Sequence, residues 1–100
     1  MHVSYDPEAY LEGLSAADWY EAKERGLGAR FAAEWKRVEK DITARPDFYR
    51  CRYGPVRACN FQVFPYRLLY RIKPSGEVQI LAVMHHAREP GYWQPRAGGA

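Results

Sequence analysis

The sequence predicts an α+β domain with the order β-α-α-β-β-β, in which a helical hairpin packs on one face of a twisted, mainly antiparallel sheet. Three observations predict it. Apolar residues recur at Leu27, Phe31, Trp35, Val38 and Ile42, the spacing that keeps side chains on one face of a helix. Between Tyr66 and Lys73 the period falls to two: Tyr66, Leu68, Tyr70 and Ile72 fall on one side, and Arg67, Leu69, Arg71 and Lys73 on the other. Turn formers at Phe64-Pro65 and Pro74-Ser75-Gly76 then divide the C-terminal half into three strands joined as a meander.

Taken in order, His2 to Tyr5 predicts a short first strand. Asp6-Pro7-Glu8-Ala9 starts a helix, with Asp6 as N-cap and Pro7 at the first helical position. Its apolar stripe is Tyr10, Leu14, Ala17 and Tyr20 with Ala16 beside them; Gly13 lies on that stripe and predicts close approach of another element. Gly26 is expected to end this helix and Leu27 to cover its last turn. The second helix runs from about Leu27 to Arg45-Pro46, because a residue before proline is pushed out of the helical region. Asp47 to Pro55 reads as a loop, Val56 to Val63 as the second strand and Tyr66 to Lys73 as the third. In the fourth, Val78 to His85, the alternation places Val78, Ile80, Ala82 and Met84 on one face and Leu81 and Val83 on the other. Residues 1–96 thus form a single domain and 97–100, Ala-Gly-Gly-Ala, a flexible tail.

Composition narrows the function classes. With 47% apolar residues and 15% aromatics, the chain can bury a core and is not a disordered segment. No apolar run approaches the roughly 20 residues that span a bilayer, so no membrane role and a cytoplasmic location are expected. Cys51 and Cys59 are too few for a disulfide scaffold and lack the spacing of a zinc site; both read as reduced thiols. No ligand cluster or phosphate loop is present, so neither metal nor organic cofactor is expected. The net charge is +3, and from Gly54 onward five arginines and one lysine face only Glu77 and Glu89. A basic sheet suits a polyanionic or acidic partner.

Several stretches add a family resemblance. They are Tyr5-Asp6-Pro7-Glu8-Ala9, Trp19-Tyr20-Glu21, Gly26-Leu27-Gly28-Ala29-Arg30-Phe31, Ile42 with Pro46, and Val56-Arg57. Then follow Phe64-Pro65-Tyr66-Arg67 with Tyr70, Leu81-Ala82-Val83, and His85-x-x-Arg88-x-Pro90-x-x-Trp93. In this order they resemble the RelE/ParE-type toxins of type II toxin–antitoxin modules, also described as plasmid-stabilisation proteins. The resemblance runs from Tyr5 to Arg96 and implies the RelE/ParE-like fold. It also implies a toxin acting on DNA gyrase or on translation until a cognate antitoxin neutralises it in a hetero-oligomer. ParE-like members poison DNA gyrase; RelE-like members cut mRNA in the ribosomal A site without metal. The alternatives are therefore a metal-independent, ribosome-dependent mRNA endonuclease, or an attenuated toxin that only binds its antitoxin.

The residues divide accordingly. RNA cleavage needs an activated 2′-hydroxyl, a stabilised phosphorane and a protonated leaving oxygen. The resemblance places Arg67 and Arg88 on the phosphate, His86 (or His85) as acid/base and Tyr92 as base or orienter. The Phe-Pro-Tyr bend and the His-x-x-Arg-x-Pro-x-x-Trp ending are closer to ParE-type members. An open sheet face carrying Arg67, Leu69, Arg71, Leu81, Val83 and His85 reads as the antitoxin surface, because an apolar strip with a basic surround marks an interface. The opposing reading is that the C-terminal segment folds back over it. Arg50, Arg52 and Arg57, interleaved with Phe48, Tyr49 and Tyr53, are candidates for contacting nucleic acid.

Overall fold

The computed structural model describes His2–Ala97. Its elements are β1 (Val3–Tyr5), α1 (Pro7–Lys23), α2 (Leu27–Ala44), β2 (Cys51–Tyr53), β3 (Val56–Asn60), β4 (Tyr66–Ile72) and β5 (Val78–His85), followed by a 3-10 turn at Gln94–Ala97. The five strands form one sheet in the order β1-β5-β4-β3-β2. β1 joins β5 in parallel, and all other pairings are antiparallel. Ala97 closes the 3-10 turn; the remainder of the expected tail, residues 98–100, lies outside the described residues.

Local chemistry sets the helix ends. The Asp6 carboxylate accepts the Glu8 N–H at 2.9 Å, and Pro7 needs no amide partner in the first turn. α1 ends at Lys23, and Gly26, with φ of +88°, stands immediately before α2. The Glu21 carboxylate receives the N–H groups of Gly26 and Gly28 at 3.0 Å, so a side chain of α1 caps the start of α2. α2 buries Phe31, Trp35, Val38 and Ile42, as its periodicity predicts.

The stripe of α1 differs from expectation. Its buried residues are Ala9, Gly13 and Ala16, whereas Tyr10 and Leu14 stay 48% and 42% exposed. The cause is proximity: the Trp35 ring lies so close to Gly13 that an added Cβ would sit 2.1 Å from it. Only small residues permit that approach, and Tyr10 instead covers the rim, its ring 5.6 Å from those of Tyr5 and Trp35.

The expected 47–55 loop contains β2, paired to β3 through a hairpin turn at Gly54-Pro55, and β3 stops at Asn60 rather than Val63. Gln62 and Val63 leave the ladder because both of their N–H groups are held by the Glu34 carboxylate of α2.

β4 follows its alternation, but β5 does not. Leu69 pairs with Ala82 while Tyr70 pairs with Ile80, so Leu81 is an extra residue, a β-bulge. Beyond it the faces exchange. Val83 joins the helix-side core with Val78 and Ile80, whereas Ala82 and Met84 turn to the opposite face. The expected grouping of Ala82 and Met84 with Val78 is therefore corrected, as is that of Val83 and His85 with Leu69.

Candidate functional site

Two surfaces carry the residues singled out by sequence. The first is the sheet face away from the helices. Val56, Leu69, Leu81, Ala82, Met84 and Trp93 form a second apolar cluster there, flanked by Tyr53, Tyr92 and Ala97. The C-terminal segment closes over it: Trp93 is 2% exposed, Leu69 and Leu81 are fully buried, and the Tyr53 and Trp93 rings meet edge to face at 5.3 Å. Leu69 and Leu81 are thus not open surface, because burying Trp93 on them removes more apolar area from water than leaving the strip bare. Val83 is buried too, on the helix side. Of the expected face, Arg67 and Arg71 remain half-buried beside the cover, and Arg71 Nε donates to Gln79 Oε1 at 2.7 Å.

Arg67 occupies the end of this face. It pairs with Asn60 and Met84 across the strands, and its Nε is buried without a hydrogen-bond partner among the described residues. His86 follows β5 on the same corner, its N–H donating to Pro65 O at 2.9 Å. Partial burial and then the nearby Arg67 guanidinium hold its imidazole below the usual histidine range, which favours the neutral ring near pH 7.

The second surface is a groove of about 810 Å³ between α1 and the end of β5. Leu11, Ser15 and Trp19 of α1 form one wall and Arg88 and Arg96 the other, with Tyr66, Val83 and His85 among the floor residues. Leu11 and Trp19 are 54% and 56% exposed, apolar side chains on one wall of the kind that marks an interaction site. His85 belongs here, its ring against Tyr66 at 5.0 Å and its Nδ1 accepting the Ala87 N–H.

Glu12 ties the groove to the C-terminal cover. Its Oε1 accepts the Val83 N–H at 3.0 Å, and its Oε2 receives Arg96 Nη2 at 3.0 Å and stands 3.9 Å from Arg88 Nη1. Arg96 Nη1 also donates to Leu81 O at 3.1 Å. Two side chains thereby satisfy two backbone groups of β5, Leu81 O and Val83 N–H, beyond the point where β1 ends. Arg88 lies over the Tyr92 ring at 3.8 Å and Arg96 approaches it at 5.1 Å. Burial and the adjoining Glu12 carboxylate push the Tyr92 hydroxyl far above the ordinary tyrosine range.

The four residues placed in RNA chemistry by sequence therefore fall into two groups, Arg67 with His86 and Arg88 with Tyr92. Sequence reading missed Glu12, Leu11 and Trp19 of the groove, and Arg96. A signal for Glu12 existed: it lies on the buried face of α1, three residues after Ala9 and four before Ala16. Among the proposed nucleic-acid contacts, Arg50 and Arg52 are exposed at β2. Arg57 instead ties down the preceding loop, donating to Tyr49 O at 2.7 Å and Asp47 O at 3.2 Å, beside the Asp47 carboxylate at 3.8 Å. Among the described residues no cluster of three or more His, Cys, Asp or Glu could hold a metal, and no helix is long and apolar enough to cross a membrane.

Comparison with known proteins accords with this architecture. A solved chain from a structure titled "Chromosomal ParDE TA system from P. aeruginosa" superposes with a TM-score of 0.63 at 14% identity, covering 85% of this chain and 95% of that one. No curated protein matches the sequence. The family described as "ParE toxin of type II toxin-antitoxin system, parDE" matches residues 14–90, a span that takes in most of α1 and all of α2 and β2–β5, and that leaves out Leu11 and Glu12 of the groove and the C-terminal cover from Tyr92 onward. The chain belongs to the ParE toxin family.

Proposed function

We propose that this chain is the growth-arresting toxin of a type II pair, that it acts by binding DNA gyrase, and that a cognate antitoxin neutralises it in the cytoplasm as a hetero-oligomer. The observation that carries binding over cleavage is the position of Tyr92. A general base needs a pKa near the working pH and reach to its proton. The Tyr92 hydroxyl is buried beside a carboxylate that raises its pKa further, and Arg88 is laid across its ring rather than free for a phosphate. Both residues serve the C-terminal cover. The groove, by contrast, presents Leu11 and Trp19, each more than half exposed even with Lys23 over the Trp19 ring, the property a protein partner uses.

Expression alone and together with the small reading frame beside it tests the proposal. Growth arrest with accumulation of cleaved-DNA complexes, intact messages on primer extension and rescue by the neighbouring product is the expected result. Cuts between codons in ribosome-bound message would overturn it in favour of a nuclease. That second reading has one observation behind it, the buried and unpartnered Arg67 Nε beside His86. It requires Arg67→Ala to abolish cutting and leave antitoxin binding intact. Expression without arrest would mark an attenuated toxin that only binds its antitoxin.

A further inference from the structure

The turn between β3 and β4, residues 61–65, is tied down at every step. Phe61 and Phe64 are 5% and 6% exposed, and both rings lie against Phe31 of α2, at 5.3 and 5.1 Å. Phe61 N–H bonds Tyr66 O at 2.9 Å, and Pro65 O takes the His86 N–H. From α2 the Glu34 carboxylate, on a side chain only 9% exposed, accepts the N–H groups of both Gln62 and Val63. Between these anchors Val63 is 69% exposed, the most of any large apolar residue among those described. A lone apolar side chain at the surface is ordinary. Here two buried rings and a carboxylate 29 residues away fix the backbone that presents it.

We infer that this turn is the surface by which the chain grips DNA gyrase, with Val63 entering a small apolar pocket of that enzyme. Shape and chemistry select a protein with such a pocket. Valine is β-branched and stiff at χ1, and its backbone is already fixed, so little freedom is lost on docking. A nucleic-acid base would need an aromatic plane or a cation. The turn presents neither, since both its rings are buried and its exposed residues are Gln62, Val63 and Pro65. One valine also buries too little to hold a membrane surface. Pro65 borders the groove beside α1, but Gln62 and Val63 stand outside its lining.

The border of the turn adds a charge. Arg67 follows it on β4, half-buried, and pairs with Asn60 across the hairpin. It forms no salt bridge among the described residues, and its Nε has no hydrogen-bond partner there. The pocket is therefore expected to carry a carboxylate on the side that faces Arg67. Glu34 is a positioning residue: it acts through the backbone of Gln62 and Val63, with its own charge paired to Arg37 at 3.3 Å. This inference rests on the proposed gyrase reading and names the surface that serves it.

Binding of the full chain to purified gyrase, both subunits present, tests it, with the product of the neighbouring reading frame as a second probe. Val63→Ala is expected to weaken gyrase binding about tenfold and Val63→Asp on the order of 100-fold, while both variants bind the neighbouring product as the parent does. Glu34→Ala is expected to speed amide exchange at Gln62 and Val63 and to weaken gyrase binding about tenfold; Glu34→Gln, which keeps an acceptor, should recover most of both. The Val63 variants decide the matter if Glu34→Ala does not fold. A Val63→Asp chain that binds gyrase like the parent overturns the inference and leaves the gyrase reading standing. So does one that loses gyrase and the neighbouring product alike, because the effect is then not confined to the target. A parent dimer that Val63→Asp turns into a monomer also overturns it, the valine then seating in a second copy. A parent chain that binds no gyrase overturns both.

Discussion

Glu12→Ala should detach the C-terminal cover, and the structure gives the size of the effect. The substitution removes the acceptor for Val83 N–H and the partner of Arg96, whose side chain, like that of Glu12, is only 15% exposed. A buried donor left unbonded costs about 1–3 kcal/mol. A buried ion pair broken from one side costs roughly 3–5 kcal/mol, less here because the groove admits water. A total near 3 kcal/mol is therefore expected, and at about 4–8 °C per kcal/mol for a domain of this size the Tm should fall by roughly 12–24 °C. Glu12→Gln retains an acceptor for Val83 and should lose about half as much. Urea titration of both variants measures the loss. A cycle with Arg96→Ala should return a coupling of about 1–2 kcal/mol. In native-state exchange the amides of residues 91–97 should open more than the rest of the chain. A Glu12→Ala protein within about 0.5 kcal/mol of the parent, the range of an ordinary surface change, would refute the reasoning, because the carboxylate would then be idle.

Three further outcomes are expected. Gly13→Ala sets a Cβ against the Trp35 ring and should lose about 1–3 kcal/mol in urea titration despite alanine's better helix propensity; a stabilised variant would show that α1 and α2 are not in close contact. His86 should titrate below the usual ~6.5 by NMR and rise in Arg67→Ala. Because its folded pKa is depressed, its contribution to stability is complete above the unfolded value and declines as pH falls through that window toward the folded one; a titration at or above 6.5 would contradict the geometry. Tyr92→Phe removes a hydroxyl without a hydrogen-bond partner among the described residues and keeps the ring under Arg88. Growth arrest should persist and stability should change by less than about 1 kcal/mol, whereas a cleaving enzyme with Tyr92 as base would lose its effect.

The helix with large residues on its buried face was legible and the helix with small ones was not. Phe31, Trp35, Val38 and Ile42 announce α2 because each is large, apolar and inside. On α1 the inward residues are Ala9, Gly13 and Ala16, and the bulkier Tyr10 and Leu14 beside them draw the stripe to the wrong face. β5 is apolar without a break from Ile80 to Met84, so a period of two leaves no mark of the extra residue at Leu81, and Ala82, Val83 and Met84 after it fall on the opposite side from the one expected. β2 was invisible for the reason that protects it: Arg50 and Arg52 give an edge strand the composition of a solvated loop. For the site, the sequence marks Arg67 and the His86–Tyr92 segment as candidates on residue type alone. Their division is not marked, since it depends on Glu12, seventy-one residues before Val83 in the chain.

The pairing of β1 with β5 joins Val3 to Val78, and this sets an order of events during synthesis. β1 and the start of α1 leave the ribosome well before β5, the strand with which β1 pairs. At roughly 5–20 residues per second, the N-terminal strand waits on the order of 4–15 s for its neighbour. Local contacts between α1 and α2 can form in that interval, whereas the long-range pairing that finishes the sheet closes slowly. The groove along β5 is assembled only when that pairing is made. A nascent chain therefore offers a partner no complete groove before β5 has been synthesised, and recognition of this surface waits for that strand.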